Sequence, residues 1–140
     1  MTIFSKIVAG EIPAYKVAEN ANYLAFLDIN PLTEGHLLVI PKKEVDYIFD
    51  LDDETYLGLQ QFAKTIAIGL KEAIPCNRIG VVVMGLDVPH VHIHLIPMNI
   101  ANDMNFTKPK LNLSKEEFIA LAEKIKEKLN SFIIKNKITA

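Results

Sequence analysis

Apolar residues first recur at helical spacing over Ile3 to Val8, and the run is stopped by Gly10 and Glu11-Ile12-Pro13, whose proline forces an extended exit. Tyr15 to Glu19 and Tyr23 to Leu27 flank the turn Asn20-Ala21-Asn22 and predict a hairpin. Leu37 to Pro41, introduced by Gly35-His36, predicts a third strand. Glu54 to Glu72 carries a stripe of Leu59, Ala63, Ile66 and Leu70 behind Asp52 and Asp53, which predicts a helix. Arg78 to Met84 is nearly continuous in β-branched residues and reads as a strand buried on both sides. Gly85-Leu86-Asp87 then leads into a further strand through the histidine run, too short a link for a crossover helix, so the two strands must pair antiparallel. After a loop over Asn99 to Asn112, a last helix opens at Ser114, where Ser114 and Glu117 fit a reciprocal capping box. Its buried stripe is Phe118, Leu121, Ala122, Ile125, Leu129 and Phe132, opposite a Lys/Glu-rich solvated face. The order α-β-β-β-α-β-β-α predicts an α+β fold with a meandering antiparallel sheet, a central helix and an added C-terminal helix.

The chemistry sits in Asp87-Val88-Pro89-His90-Val91-His92-Ile93-His94-Leu95-Ile96-Pro97. In an extended chain alternate side chains point to opposite sides, so His90, His92 and His94 share one face while Val91, Ile93 and Leu95 point into an apolar interior. Imidazole is costly to bury without partners, and a purely structural strand has no need of three in register. Such a row can hold a metal, with two histidines at i and i+2 plus a third ligand. It can also handle a phosphoryl group covalently, because an imidazole near its reference pKa of about 6.5 is largely neutral and nucleophilic at pH 7. The loop Gly85 to Val88 favours the second reading, since its backbone N–H groups beside the row form an anion cradle.

A length of 140 residues indicates one domain, and 50% hydrophobic with 23% charged residues indicates an ordered globular chain except for its last few residues. The net charge of −2 and the lack of a Lys/Arg-dense run disfavour a polynucleotide partner. Cys76 is the single cysteine, so intrachain disulfides are excluded; between Pro75 and Asn77 it reads as a turn thiol. Lys6 and Glu11 interrupt the first apolar stretch, and no run reaches a membrane span, so a soluble, cytoplasmic protein is expected.

His90-Val91-His92-Ile93-His94-Leu95-Ile96 matches the signature of the histidine triad (HIT) superfamily, His-φ-His-φ-His-φ-φ with φ hydrophobic. The opening Ile3 to Ala14, the segment Phe26 to Pro31 and the segment Gly35 to Lys43 also resemble that family in order, closest to its small bacterial nucleotide-binding members. The resemblance implies a homodimer, built around the Glu54 to Glu72 helix and the strand Arg78 to Met84, that needs no cofactor. It implies hydrolysis of nucleoside 5′-phosphoramidates or related AMP or GMP derivatives, with His92 as nucleophile and a nucleotidylated-histidine intermediate. His94 would hydrogen-bond the phosphoryl oxygens, His90 would orient the nucleophile through its carbonyl, and His36 would border the phosphate pocket. Asp28 would bind the ribose hydroxyls, and Phe4, Ile7, Phe26, Leu27 and Ile29 would form the slot for the base. Phosphate would meet Gly85, Leu86, Asp87 and Val88. On this reading residues 1–106 are the HIT domain and residues 107–140 an extension whose amphipathic helix packs on it. The alternatives are a dinucleoside polyphosphate hydrolase, a regulatory nucleotide-binding protein with weak hydrolase activity and a His-ligated metalloenzyme.

Two departures from the family pattern matter. Many bacterial relatives place a Cys-x-x-Cys pair and a histidine with the first triad histidine around a structural zinc; here Thr2, Ser5 and Glu44 stand at those positions, and hydroxyls are poor zinc ligands, so no metal is expected. The loop before the triad is shortened, with Leu86 and Asp87 where relatives often have glutamine and serine, and Met84 about where an asparagine would contact phosphate.

Overall fold

The computed structural model describes residues 1–136, with side chains through residue 133; the expectation for the last few residues, and the end of the 107–140 extension, lie outside the described residues. In chain order the elements are α1 (Ile3–Val8), β1 (Lys16–Glu19), β2 (Tyr23–Leu27), β3 (Leu37–Pro41), α2 (Asp53–Ala73), β4 (Arg78–Val82), β5 (Ile93–Met98) and α3 (Lys115–Asn136). Single 3₁₀ turns at Ile48–Asp50 and Ala101–Met104 were not signalled by periodicity. The strands form one antiparallel sheet in the order β1-β2-β3-β5-β4.

The sheet has two unlike faces. Ala25 and Leu27 of β2, Leu37 and Val39 of β3, and Ile93 and Leu95 of β5 join Leu59, Ile66 and Leu70 of α2 and Phe118, Leu121, Ile125 and Leu129 of α3 in the main core. Alternation then sends Leu24, Phe26, Leu38 and Ile40 to the other face, where Phe4 and Ile7 of α1 cover them. That second face is where the histidines emerge. Helix α3 is anchored as its sequence predicts: Ser114 Oγ accepts from the Glu117 N–H at 3.1 Å, and Glu117 returns an acceptor to the Ser114 N–H at 3.0 Å. It crosses α2 closely at Gly69, where a Cβ would fall 2.4 Å from Cδ2 of Leu129.

Two expectations are corrected. The strand Arg78 to Met84 is not buried on both sides: β4 ends at Val82 and is an edge strand bonded only to β5, with Val81 60% exposed. A run of β-branched residues reports strand propensity, and position in the sheet decides burial. The histidine strand also starts later than its pattern suggests, at Ile93. Residues 88–91 satisfy their backbone elsewhere: the His90 N–H donates to Val88 O at 2.8 Å and the Val91 N–H to Val45 O at 2.8 Å. His90 therefore lies in a bend and His92 in the unpaired stretch just before the strand, and only His94 is paired across the ladder, with Leu38 and Val82.

Candidate active site

His36, His90, His92 and His94 are all buried, the last two 6% and 7% exposed. Their spacers behave as predicted, since Val91, Ile93 and Leu95 all belong to the main core. Phe4 of α1 stands edge-on to the His90 and His92 rings, with centroids 5.8 and 5.1 Å away, and the His92 and His94 centroids are 5.0 Å apart. His36, in the turn before β3, packs against His94 at 5.2 Å. Phe106 closes the far side, 5.1 Å from His94 and 6.2 Å from His36.

Hydrogen-bond partners assign each ring's tautomer. His92 Nδ1 lies 2.7 Å from the His90 carbonyl, so Nδ1 carries the proton and Nε2 presents a lone pair. His90 Nε2 lies 2.8 Å from the Pro41 carbonyl, so that nitrogen is the donor and Nδ1 accepts from the Thr2 hydroxyl at 2.9 Å. The Leu32 N–H donates to His36 Nδ1 at 3.0 Å, which puts the His36 proton on Nε2. That N–H donates in turn to His94 Nδ1 at 2.9 Å, leaving His94 with its proton on Nε2. Burial, reinforced by neighbouring charge from His94, holds His36 down to about 3, and burial, reinforced by His92, holds His94 down to about 4, so both are neutral at pH 7. Burial also lowers His90. Adjacent imidazoles thus offer complementary groups, a lone pair on His92 and an N–H on His94.

Asp28 follows β2. One oxygen accepts from the Asn30 N–H at 2.8 Å, an Asx turn, and the other lies 3.5 Å from His36 Nε2. Since His36 is neutral this is a polar contact and not an ion pair. Burial raises the Asp28 carboxyl above its ordinary value. Asp28, His36 and His94 have ligand atoms within 4.8 Å of one another, the spacing of a metal site. The donor set does not fit one. A metal-bound imidazole carries its proton on the other nitrogen and donates it onward, and His36 Nδ1 faces the Leu32 N–H, itself a donor.

Of the proposed base slot, Phe4, Ile7 and Phe26 share the histidine face. Leu27 does not: it alternates to the opposite face and lies in the main core, a correction that the period of two in β2 already contained. Ile29 is 63% exposed, outside both clusters. In the preceding loop Gly85 adopts φ +71, Leu86 is 87% exposed, Asp87 is exposed, and Val88 packs against the Phe4 cluster. Among the described residues no N–H of 85–88 donates to a backbone acceptor. Sequence reasoning missed Phe106 and Lys110, which come from the loop after β5; Lys110 lies 5.9 Å over the Phe106 ring and acts electrostatically on Asp28 and His36. Neither has a periodic neighbour that would have marked it. Thr2, Ser5 and Glu44, read as a lost metal site, do converge on His90 by hydrogen bonds.

The HIT domain family model matches residues 9–100. Adenosine 5′-monophosphoramidase of Schizosaccharomyces pombe is 39% identical over 130 residues, 91% of this chain and 97% of its own. A Hit-like protein involved in cell-cycle regulation from Bartonella henselae superposes with a TM-score of 0.80 at 31% identity, over 91% of this chain and 95% of its own. A zinc-bound histidine triad family protein from Mycobacterium smegmatis superposes with a TM-score of 0.78 at 26% identity, over 95% of this chain and 96% of its own. A histidine row with fixed tautomers, the α+β fold around it and these matches lead to one conclusion: the chain belongs to the HIT family.

Proposed function

We propose that the chain hydrolyses nucleoside 5′-phosphoramidates, or related nucleoside monophosphate derivatives, through a nucleotidylated His92. One observation carries the reading. His92 Nδ1–H is committed to the His90 carbonyl, so the lone pair on Nε2 is free to attack phosphorus, beside a His94 whose relay leaves an N–H to meet a phosphoryl oxygen. Attack forms an Nε2–P bond and breaks the P–N bond, whose amine leaves with a proton from solvent. Water then attacks the phosphorus, breaks the Nε2–P bond and releases the monophosphate and neutral His92. The activity in the name of the Schizosaccharomyces relative supports this substrate class. Asp28 is the candidate for the ribose hydroxyls, Phe4, Ile7 and Phe26 for the base, and the 85–88 loop for the phosphate.

The decisive experiment is His92→Ala. Turnover of adenosine 5′-phosphoramidate is expected to vanish while AMP binding persists, because base and ribose contacts remain. Near-native turnover would overturn the mechanism.

The chain is further proposed to work as a homodimer across α2 and β4. A groove of about 560 Å³ between them is lined by Ala67, Ile68 and Ile79 among charged residues, and Leu57 and Ile68 of α2 and Val81 of the edge strand β4 are exposed. A monomeric mass by light scattering at micromolar concentration would contradict it. Among the described residues no helix is long and apolar enough to cross a membrane; a cytoplasmic site of action is part of the proposal.

A further inference from the structure

His90 is fully buried and both of its ring nitrogens are engaged. The Thr2 hydroxyl that serves Nδ1 is a branch point. It accepts from the Ser5 N–H at 3.0 Å, lies 3.2 Å from Ser5 Oγ and 2.9 Å from His90 Nδ1, and has one proton to give. Ser5 Oγ is itself 3.5 Å from the same histidine nitrogen and competes for it. Glu44, in the segment after β3, resolves the competition. One of its oxygens accepts the Ser5 hydroxyl at 2.5 Å and the Thr2 N–H at 2.7 Å, so the Ser5 proton points outward and the Thr2 proton is left for His90. Those bonds, the Ser5 hydroxyl first, hold the Glu44 carboxyl below its ordinary range.

The ring held this way belongs to the residue whose carbonyl accepts the His92 Nδ1–H at 2.7 Å. The ring is anchored to α1 and Pro41 and the His90 N–H to Val88, so the direction of that carbonyl is fixed by contacts on three sides. We propose that Glu44 is a positioning residue of the reaction, acting through Ser5, Thr2 and His90 to keep His92 in its Nδ1–H tautomer. The inference rests on the reading of His92 Nε2 as the reacting atom. It goes beyond that reading by giving an exposed carboxylate, outside the histidine row, a hold on the nucleophile.

The test compares Glu44→Ala, Glu44→Gln and Thr2→Val in the full chain. In Glu44→Ala, kcat on adenosine 5′-phosphoramidate is expected to fall about ten-fold, on the order of one net hydrogen bond, with AMP affinity unchanged. The ¹⁵N spectrum of the His92 ring should move from one tautomer to a mixture. Glu44→Gln keeps an acceptor oxygen for Ser5 and Thr2 and should restore both readouts. If Glu44→Ala does not fold, Thr2→Val removes the hydroxyl that reaches His90 Nδ1 and is read the same way. An unchanged His92 tautomer, or a glutamine variant as impaired as the alanine one, overturns the proposal. The tautomer spectrum needs no turnover, so failure of the nucleophile assignment, seen in His92→Ala, is distinguishable from failure of this one.

Discussion

The Nε2 nitrogen of His36 lies 2.9 Å from Nδ1 of His94, and the backbone N–H of Leu32 occupies the other nitrogen of His36, so a main-chain amide decides which nitrogen of His94 bears its proton. His36→Ala removes the donor and frees His94 to take its other tautomer, which withdraws the N–H from the phosphoryl group. The expected loss in kcat is about 100-fold, the lower end of what loss of one donor to a developing oxyanion costs. A wild-type kcat in His36→Ala would break the relay argument.

The same two histidines set an acid limit to stability. Their folded-state values of about 3 and about 4 lie below the ordinary imidazole value of about 6.5, which the unfolded chain regains. Between those limits the unfolded state binds more protons than the folded one, so stability is full above about pH 6.5 and falls as pH drops toward 4. Carboxylates held low, such as Glu19 and Asp103, add to the loss only at the acid end of that window. Urea midpoints should therefore fall between pH 7 and pH 5, and less steeply in His36→Gln. A flat midpoint over that range would show that the rings titrate normally.

Elemental analysis of the purified chain should find no stoichiometric zinc, and chelator should leave activity intact. Around His90 the available side chains are two hydroxyls and one carboxylate, and around His94 the required nitrogen of His36 bears a proton directed at its neighbour. One zinc per chain would contradict both assignments.

Asp28→Ala should weaken AMP binding by about 1.5–3 kcal/mol, the scale of hydrogen bonds to a charged group. The effect should disappear with 2′,3′-dideoxy-AMP. Equal losses for the two nucleotides would mean that Asp28 serves only its Asx turn with Asn30.

Gly69→Ala tests the helix pair. The added methyl meets Leu129, which is 1% exposed and cannot swing into solvent, so a loss of about 1–3 kcal/mol is expected from overpacking. Denaturant midpoints of the two proteins measure it.

The elements were legible because each carries one clean period. Leu59, Ala63, Ile66 and Leu70 repeat at helical spacing, Ser114 and Glu117 mark a helix start, and the alternation from Val91 to Leu95 fixes which face holds the histidines. Sheet position was less legible, because Val81 and Val82 read alike on an edge or in the centre; only the strand order shows that β5, and not β4, is flanked on both sides. At the site, the histidines were visible as residue types while their protonation was not. That depends on Leu32 N–H, Pro41 O and His90 O, backbone groups no residue identity announces. Leu27 was misplaced because the family pattern marks a segment, whereas the pleat assigns its members to opposite faces.

The ring of Phe106 lies against both His36 and His94, six residues past the end of the matched segment. The unit that similarity delimits and the unit that performs the chemistry therefore differ in length. A fragment cut at residue 100 would keep all five strands and all four histidines, yet it would open the relay pair to water on one side. His36 and His94 would titrate closer to free histidine, so a boundary drawn from sequence matching alone would keep the residues of the relay and lose their protonation.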